Sequence, residues 1–302
     1  MIWPGGLSGE MVLRGRARDL LTPVGGHAVV VSEASMELAV GPDRVIRSVV
    51  LRPQHEGAEQ LTGAQGGGRF RGAVDAAFPG ERQAGTPLYL LLDDVAGATL
   101  IGGFAWTLWP DELTPTVVAA AGEAARRRNM AGICSGFRPG GGPLQKKDAG
   151  ENLGHNLVPA NSLDSTDPLA WHDIEPPPRS ACMRRRRRID VWLDDAIRIE
   201  AMFRDSMWDP DGREICVHEY RLDATADPRS GIVLEVRAEP RVLPFRECPL
   251  AAPNAAWVEG APLRDLREVV LTRLRGTDCC THLNDMLRDL AEVPVLMAAL
   301  TA

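Results

Sequence analysis

Residues that bind transition metals gather in the last third of this chain: His218, Cys248, Cys280 and His282, with Cys279 beside them. Neutral imidazole and thiolate are the donors that zinc and iron take. The spacing from His218 to Cys248 is 30 residues and from there to Cys280 it is 32, far too wide for a finger or ribbon, so any site must be assembled by the fold. Two residues along a helix turn through about 200°. Cys280 and His282 therefore do not share a face of a regular helix, whereas Cys279, His282 and Asp285 do. Two ligand sets follow, Cys280 with His218 and Cys248, or Cys279 with His282 and Asp285. If the helix begins only at Thr281, both Cys280 and His282 can reach one ion. Taken singly, a cysteine on a core stripe is most often a small hydrophobe. Together, two thiolates and an imidazole around one Zn or Fe ion per chain leave an open fourth position, able to polarise a carbonyl or acidify water. That chemistry suits a lyase or hydrolase acting on a small organic or acyl substrate. Tyr220, Glu219 or Asp285 is the expected proton donor or ligand support, with Glu219 ranked lower because it alternates away from Tyr220 along a strand.

The elements that must position these residues are legible in the patterning. Ile197, Ile199, Ala201 and Phe203 alternate with polar neighbours, as do Cys216, His218, Tyr220, Leu222 and Ala224, and Ile232, Leu234, Val236 and Ala238. WDPDG and DPRSG join them, so three strands form an antiparallel meander. The segment ECPLAAPNAAWVEG is expected to be helical in part, followed by a helix near 263–274. A last helix carries an apolar stripe at Cys280, Leu283, Leu287 and Leu290. The N-terminal part echoes this plan: Arg18 in RARDLLTP precedes Arg204 in FRDSMWDP by 186 residues, and Pro42 precedes Pro228 by the same 186. A constant spacing points to internal duplication. The expected fold is α+β, two related units packed as a pseudo-dimer, each an antiparallel meander sheet with helices on one face. Their bounds are 1–137, a Pro- and Gly-rich linker at 138–183, and 184–302. The first unit reads as degenerate, with Glu33 falling at the position of His218, Asp93 and Asp94 near the Cys248 position, and Cys134 the one matching cysteine. Its glycine-rich stretch at 55–70 reads as a surface loop.

Composition limits the alternatives. Hydrophobic residues make up 44% and charged residues 25%, an ordinary globular balance, which excludes a disordered or fibrous chain. A net charge of −7 is the wrong sign for a nucleic-acid binder. Arg184 to Arg188 is accordingly read as a solvated strand entry paired with Asp190, Asp194 and Asp195. The N-terminus resembles no signal peptide, and no run approaches about 18 consecutive apolar residues. A cytoplasmic protein with neither membrane nor nucleic-acid partner is expected, its six cysteines reduced. Phosphate-loop, G-x-S-x-G and H-E-x-x-H patterns are all missing from the sequence.

The run from RRRRRIDVW through FRDS, VHEYRL, PRVLPFRECPLA and CTHLND resembles the bacterial family called domain of unknown function 2889. That resemblance covers most of the C-terminal half and implies no activity. The order of strand, meander, cysteine loop, turn and cysteine-headed helix is also similar to iron–sulfur scaffold and sulfur-acceptor proteins of the NifU and SufE type. This similarity implies metal or cluster positions at or beside His218, at Cys248 and at Cys280, although the chain has VHEY where those scaffolds carry cysteine. A sulfur or cluster carrier using Cys248 or Cys280 is thus the alternative to the enzyme, and a partner-binding protein with no catalysis is a third.

Overall fold

A computed structural model describes residues 1–112, 130–144, 156–163, 167–174 and 179–301. The chain divides into two compact units, described in turn. One comprises the described residues of Met1–Arg128, Asn161–Met183 and Met207–Glu214; the other comprises those of Asn129–Ala160, Arg184–Ser206 and Ile215–Ala302. The stretch expected to be a linker thus contributes to both.

In the first unit, β1 (Met11–Leu21), β2 (Val29–Val40) and β3 (Ile46–Arg52) pair antiparallel in the order β1-β2-β3. Leu13, Leu38, Val40, Ile46 and Leu51 bury the inner face. The helix Pro87–Ile101 packs on β1 and β2. Its start is fixed by Thr86, whose side chain accepts from the Tyr89 N–H, and by Pro87, whose missing N–H costs nothing in a first turn. Together with the residues after it, Pro87–Leu108 is long and apolar enough to cross a membrane, but 67% of its most apolar window is buried inside the unit, so it is a core helix. The 55–70 stretch is not a surface loop. It contains a 3-10 helix at Glu56–Leu61 and the start of the helix Gly68–Ala77, and Leu61 and Phe70 are both fully buried.

The second unit is built on a five-stranded antiparallel sheet. It consists of β4 (Val158–Pro159), β5 (Met183–Leu193), β6 (Ile197–Trp208), β7 (Glu214–Ala226) and β8 (Val233–Val242), in the order β4-β7-β6-β5 with β8 also on β7. The expected alternation is present on two strands: Ile197, Ile199, Ala201 and Phe203 are buried on β6, and Cys216, His218, Tyr220, Leu222 and Ala224 on β7. On β8 it fails, since Val233 and Val236 are buried and Leu234 is exposed. Gly212 and Gly231 take φ of 85° and 67°, the left-handed backbone these two tight turns require. Helical segments at Cys248–Val258, Leu266–Arg273, Thr281–Asp289 and Val293–Thr301 complete the unit. Strands β1, β2 and β3 begin at Met11, Val29 and Ile46, and β6, β7 and β8 at Ile197, Glu214 and Val233, each within one residue of the 186-residue spacing. The meander recurs; β5 has no counterpart among the strands of the first unit.

Candidate metal centre

Three side chains from three elements converge in the core of the second unit. Asp205 comes from β6, His218 from the middle of β7, and His282 from the first turn of the helix Thr281–Asp289. Strand pleat points Asp205 and His218 into the core, and a helix starting at Thr281 carries His282 onto them. Among the described residues, one ligand atom from each of these three lies within 4.8 Å of the other two. His282 Nε2 is 3.5 Å and His218 Nδ1 is 3.8 Å from the same oxygen, Asp205 Oδ2. The two imidazole rings stack with centroids 3.7 Å apart and planes 21° apart. His282 Nε2 is buried and has no hydrogen-bond partner among the described residues.

Charge around this trio is supplied from the arginine run. Arg185 donates from Nε and Nη2 to the two Asp205 oxygens at 2.8 and 3.0 Å, and its Nη1 lies 3.5 Å from Asp285. Arg187 pairs with Asp289 and approaches Asp285 at 3.9 Å. Both guanidinium groups also lie over the Phe203 ring, at 4.8 and 5.6 Å. The run is therefore not simply a solvated entry. Arg188 does pair with Asp190, but in a β-strand alternate residues face opposite sides, so Arg185 and Arg187 point inward together. Arg185 and Arg187 thus face the three carboxylates of Asp205, Asp285 and Asp289. Burial holds the pKa of both histidines well below the usual imidazole value; the neighbouring His282 adds to this at His218, and Arg185 and Arg187 add to it at His282. Both imidazoles are thus neutral at pH 7.

The other residues expected at the site fall around this trio. The helix begins at Thr281 with Cys280 in extended backbone at its N-cap, which sets Cys280 Sγ 3.9 Å from His282 Nδ1. Cys248 heads the Cys248–Val258 segment, away from the Asp205 oxygen and in the electrostatic neighbourhood of Cys280. Cys279 turns its thiol to the Gly276 carbonyl at 3.2 Å. Tyr220 faces Cys280 rather than the histidines. Glu219 is held by Arg204 at 2.6 Å, and Asp285 faces Arg185 and Arg187. Asp205, Arg185 and Arg187 were not among the expected site residues. The aspartate could have been found from the repeat, since Arg18-Asp19 and Arg204-Asp205 are the same dipeptide 186 residues apart. The repeat also revises the position opposite His218. On β1 and β2, Asp19 pairs with Ser32, which donates to it at 2.7 Å, so Ser32 rather than Glu33 answers to His218, and Glu33 answers to Glu219.

Residues 183–296 match the model of a family described as a protein of unknown function, DUF2889. The matched stretch contains Asp205, His218, His282 and the two inward arginines. Neither a curated protein nor a solved structure matches the chain.

Proposed function

We propose that the second unit is a metal-dependent enzyme domain that holds one divalent zinc or iron ion on Asp205, His218 and His282. The observation that carries this reading is the pair of edges, 3.5 and 3.8 Å, from two neutral imidazole nitrogens to one carboxylate oxygen. Ligand bonds of about 2.0–2.1 Å at a tetrahedral angle require donor edges of about 3.4 Å; the two edges to Asp205 are close to this, and the stacked rings, 21° apart, must splay on binding so that both in-plane lone pairs meet the ion. A carboxylate has about four acceptor sites, so the Arg185 fork does not exhaust Asp205 Oδ2. Buried neutral imidazole is the protonation state a cation needs. Arg185 fixes the Asp205 carboxylate with a two-point fork, the orienting role that outer partners of metal ligands play.

Three protein ligands leave a position open, and an ion there supplies Lewis acidity to a carbonyl or to water, the chemistry of a lyase or hydrolase on a small organic or acyl substrate. The chain's own part is to hold both imidazoles in one protonation state and to keep bulk water from the carboxylate. Tyr220 stands one step away through Cys280, which lies beside His282, and burial keeps its hydroxyl neutral. A sulfur-transfer protein of the SufE type has less support: burial first, and neighbouring thiols second, push Cys248 up to about 12, and burial pushes Cys280 up to about 11, which makes both poor nucleophiles near neutrality. Elemental analysis of the natively purified protein tests the reading. One equivalent of zinc or iron per chain is expected to survive Cys248→Ser and to be lost in His218→Ala and His282→Ala, whatever further metal the parent carries. A folded parent that carries no metal and takes none up on incubation with Zn²⁺ or Fe²⁺ would reject it.

A further inference from the structure

Four cysteines from three sequence-distant segments are drawn to one place in the second unit. Ser135, fully buried, does the lacing: its N–H donates to the Cys279 carbonyl at 2.7 Å and its hydroxyl donates to the Glu247 carbonyl. Its neighbours in sequence are therefore brought together, Cys134 from the 3-10 turn at 135–137, Cys248 from the next segment, and Cys279 and Cys280 from the start of the last helix region. The approach is close enough that Gly136 has no room for a side chain. A methyl group there would stand 2.7 Å from Cys248 Sγ and 3.8 Å from Cys134 Sγ.

A second observation points to a ligand. Tyr220 is fully buried, and its hydroxyl finds no nitrogen or oxygen partner among the described residues. It meets the Cys280 thiol, with the Cys248 and Cys134 sulfurs in its electrostatic surroundings. Sulfur is a weak hydrogen-bond partner, so a buried tyrosine whose hydroxyl meets a thiol is a costlier choice than phenylalanine unless something further binds beside it.

We propose that Cys134, Cys248 and Cys280 form a second site, distinct from the Asp205, His218 and His282 centre, that takes a thiophilic closed-shell cation of the zinc type, with the Tyr220 hydroxyl facing it. Soft thiolate donors select such ions. The three sulfurs are more widely spread than the histidine centre, whose atoms lie within 4.8 Å, so binding draws them together. Cys134 is the one that moves: it sits on a three-residue turn and is only part-buried, whereas Cys248 and Cys280 are held in the core. As each sulfur–metal bond forms, its thiol releases a proton to solvent, and no oxidant is involved. Cys279 stays outside the set because its thiol is engaged by the carbonyls of Gly276 and Ile133. Cys280, 3.9 Å from His282 Nδ1, is the link between the two sites.

Cadmium titration of the full, chelator-treated chain separates this site from the other, because the ultraviolet sulfur-to-cadmium charge-transfer band arises only from thiolate ligands. The parent is expected to develop the band at about one Cd²⁺ per chain. Cys134→Ser and Cys248→Ser should each weaken Cd²⁺ binding at least tenfold, while His218→Ala and Cys279→Ser keep the band. No band in the parent, a band undiminished in both Cys134→Ser and Cys248→Ser, or a band lost in His218→Ala as fully as in them, would each overturn the proposal. A measurement without substitutions guards against variants that fail to fold: iodoacetamide alkylation of Cys134, mapped by mass spectrometry, should slow at least tenfold when Cd²⁺ is bound, and an unchanged rate would overturn the site as well.

Discussion

Arg185→Met removes the charge that neutralises Asp205 while keeping most of the side-chain volume. In the structure the side chains of this pair are 6% and 0% exposed, and the guanidinium makes two bonds to Asp205 at 2.8 and 3.0 Å. Removing one partner from a buried pair of this kind costs about 3–5 kcal/mol, because the other charge stays buried without compensation. Part of that cost can be recovered locally. His282 Nε2 lies 3.5 Å from Asp205, and Arg185 is one of the groups that keeps its pKa low. Without the arginine, the folded protein binds a proton on His282 more readily. The metal-free variant should therefore be penalised by about 3–5 kcal/mol at pH 8, and by about 1–2 kcal/mol less at pH 6, where an imidazolium takes over the compensation. Urea titration with amide-exchange readout on β6 and β7 isolates the opening of this unit from the rest of the chain. In a double-mutant cycle, Arg185→Met with Asp205→Asn should be at least about 2 kcal/mol less damaging than the two single changes added. A cost below about 1 kcal/mol for Arg185→Met, or an additive cycle, would refute the claim that this pair anchors the site.

Alkaline stability should be limited by the thiols. Cys216, Cys248 and Cys279 are pushed up to about 12 and Cys280 to about 11, from an ordinary 9.0, with burial the first cause in each. Unfolded thiols ionise first, so folding stability of the metal-free protein should be level below pH 8 and fall between pH 9 and 11–12, by up to about 1.4 kcal/mol per pH unit for each thiol; urea midpoints flat to pH 11 would contradict this. Gly136→Ala should destabilise the second unit by about 1–3 kcal/mol through overpacking on Cys248 Sγ, read as a lowered thermal midpoint, and an unchanged midpoint would mean the approach is looser than 2.7 Å. In the first unit, Tyr89→Phe removes a 2.6 Å bond to Asp75 and should cost about 1–2 kcal/mol in urea titration with amide-exchange readout, with no change in metal content.

The meanders were legible because half-buried strands write their faces into the sequence at period 2, and WDPDG and DPRSG mark the turns. His218 was legible for the same reason, a metal-type residue on an otherwise apolar strand face, whereas His282, off the apolar stripe of its helix, could share an ion with Cys280 only through the alternative of a helix starting at Thr281. Arg185 and Arg187 were not. In a run of five identical residues alternation leaves no trace, so nothing distinguishes the inward arginines at 185 and 187 from the outward one at 188. Asp205 was hidden differently: it sits in FRDSMW, where Arg204 and Ser206 are also buried, and such a polar run breaks the alternation that would have announced its face. Leu61 and Phe70 were missed because the glycines around them mask a core contribution made by isolated residues rather than by a periodic stripe.

The repeat explains why one unit carries the centre and the other does not. Both meanders place an Arg-Asp dipeptide on the first strand of the pair, Arg18-Asp19 and Arg204-Asp205. Across the ladder Asp19 meets Ser32, where Asp205 meets His218. A serine hydroxyl satisfies one oxygen of Asp19 as a donor and has no imidazole lone pair to offer a cation. Burial raises the pKa of Asp19, with Ser32 pulling the other way. The guanidinium group that holds Asp205 comes from β5, which the repeat lacks; Ile2, in a single bridge to Val12, is what pairs along the outer edge of β1. His282 likewise comes from a helix outside the repeated strands. The duplicated meander therefore supplies an aspartate at the same position in both units, part-buried in the first and fully buried in the second, and the proposed metal site of the second rests on one substitution within the repeat and two additions outside it.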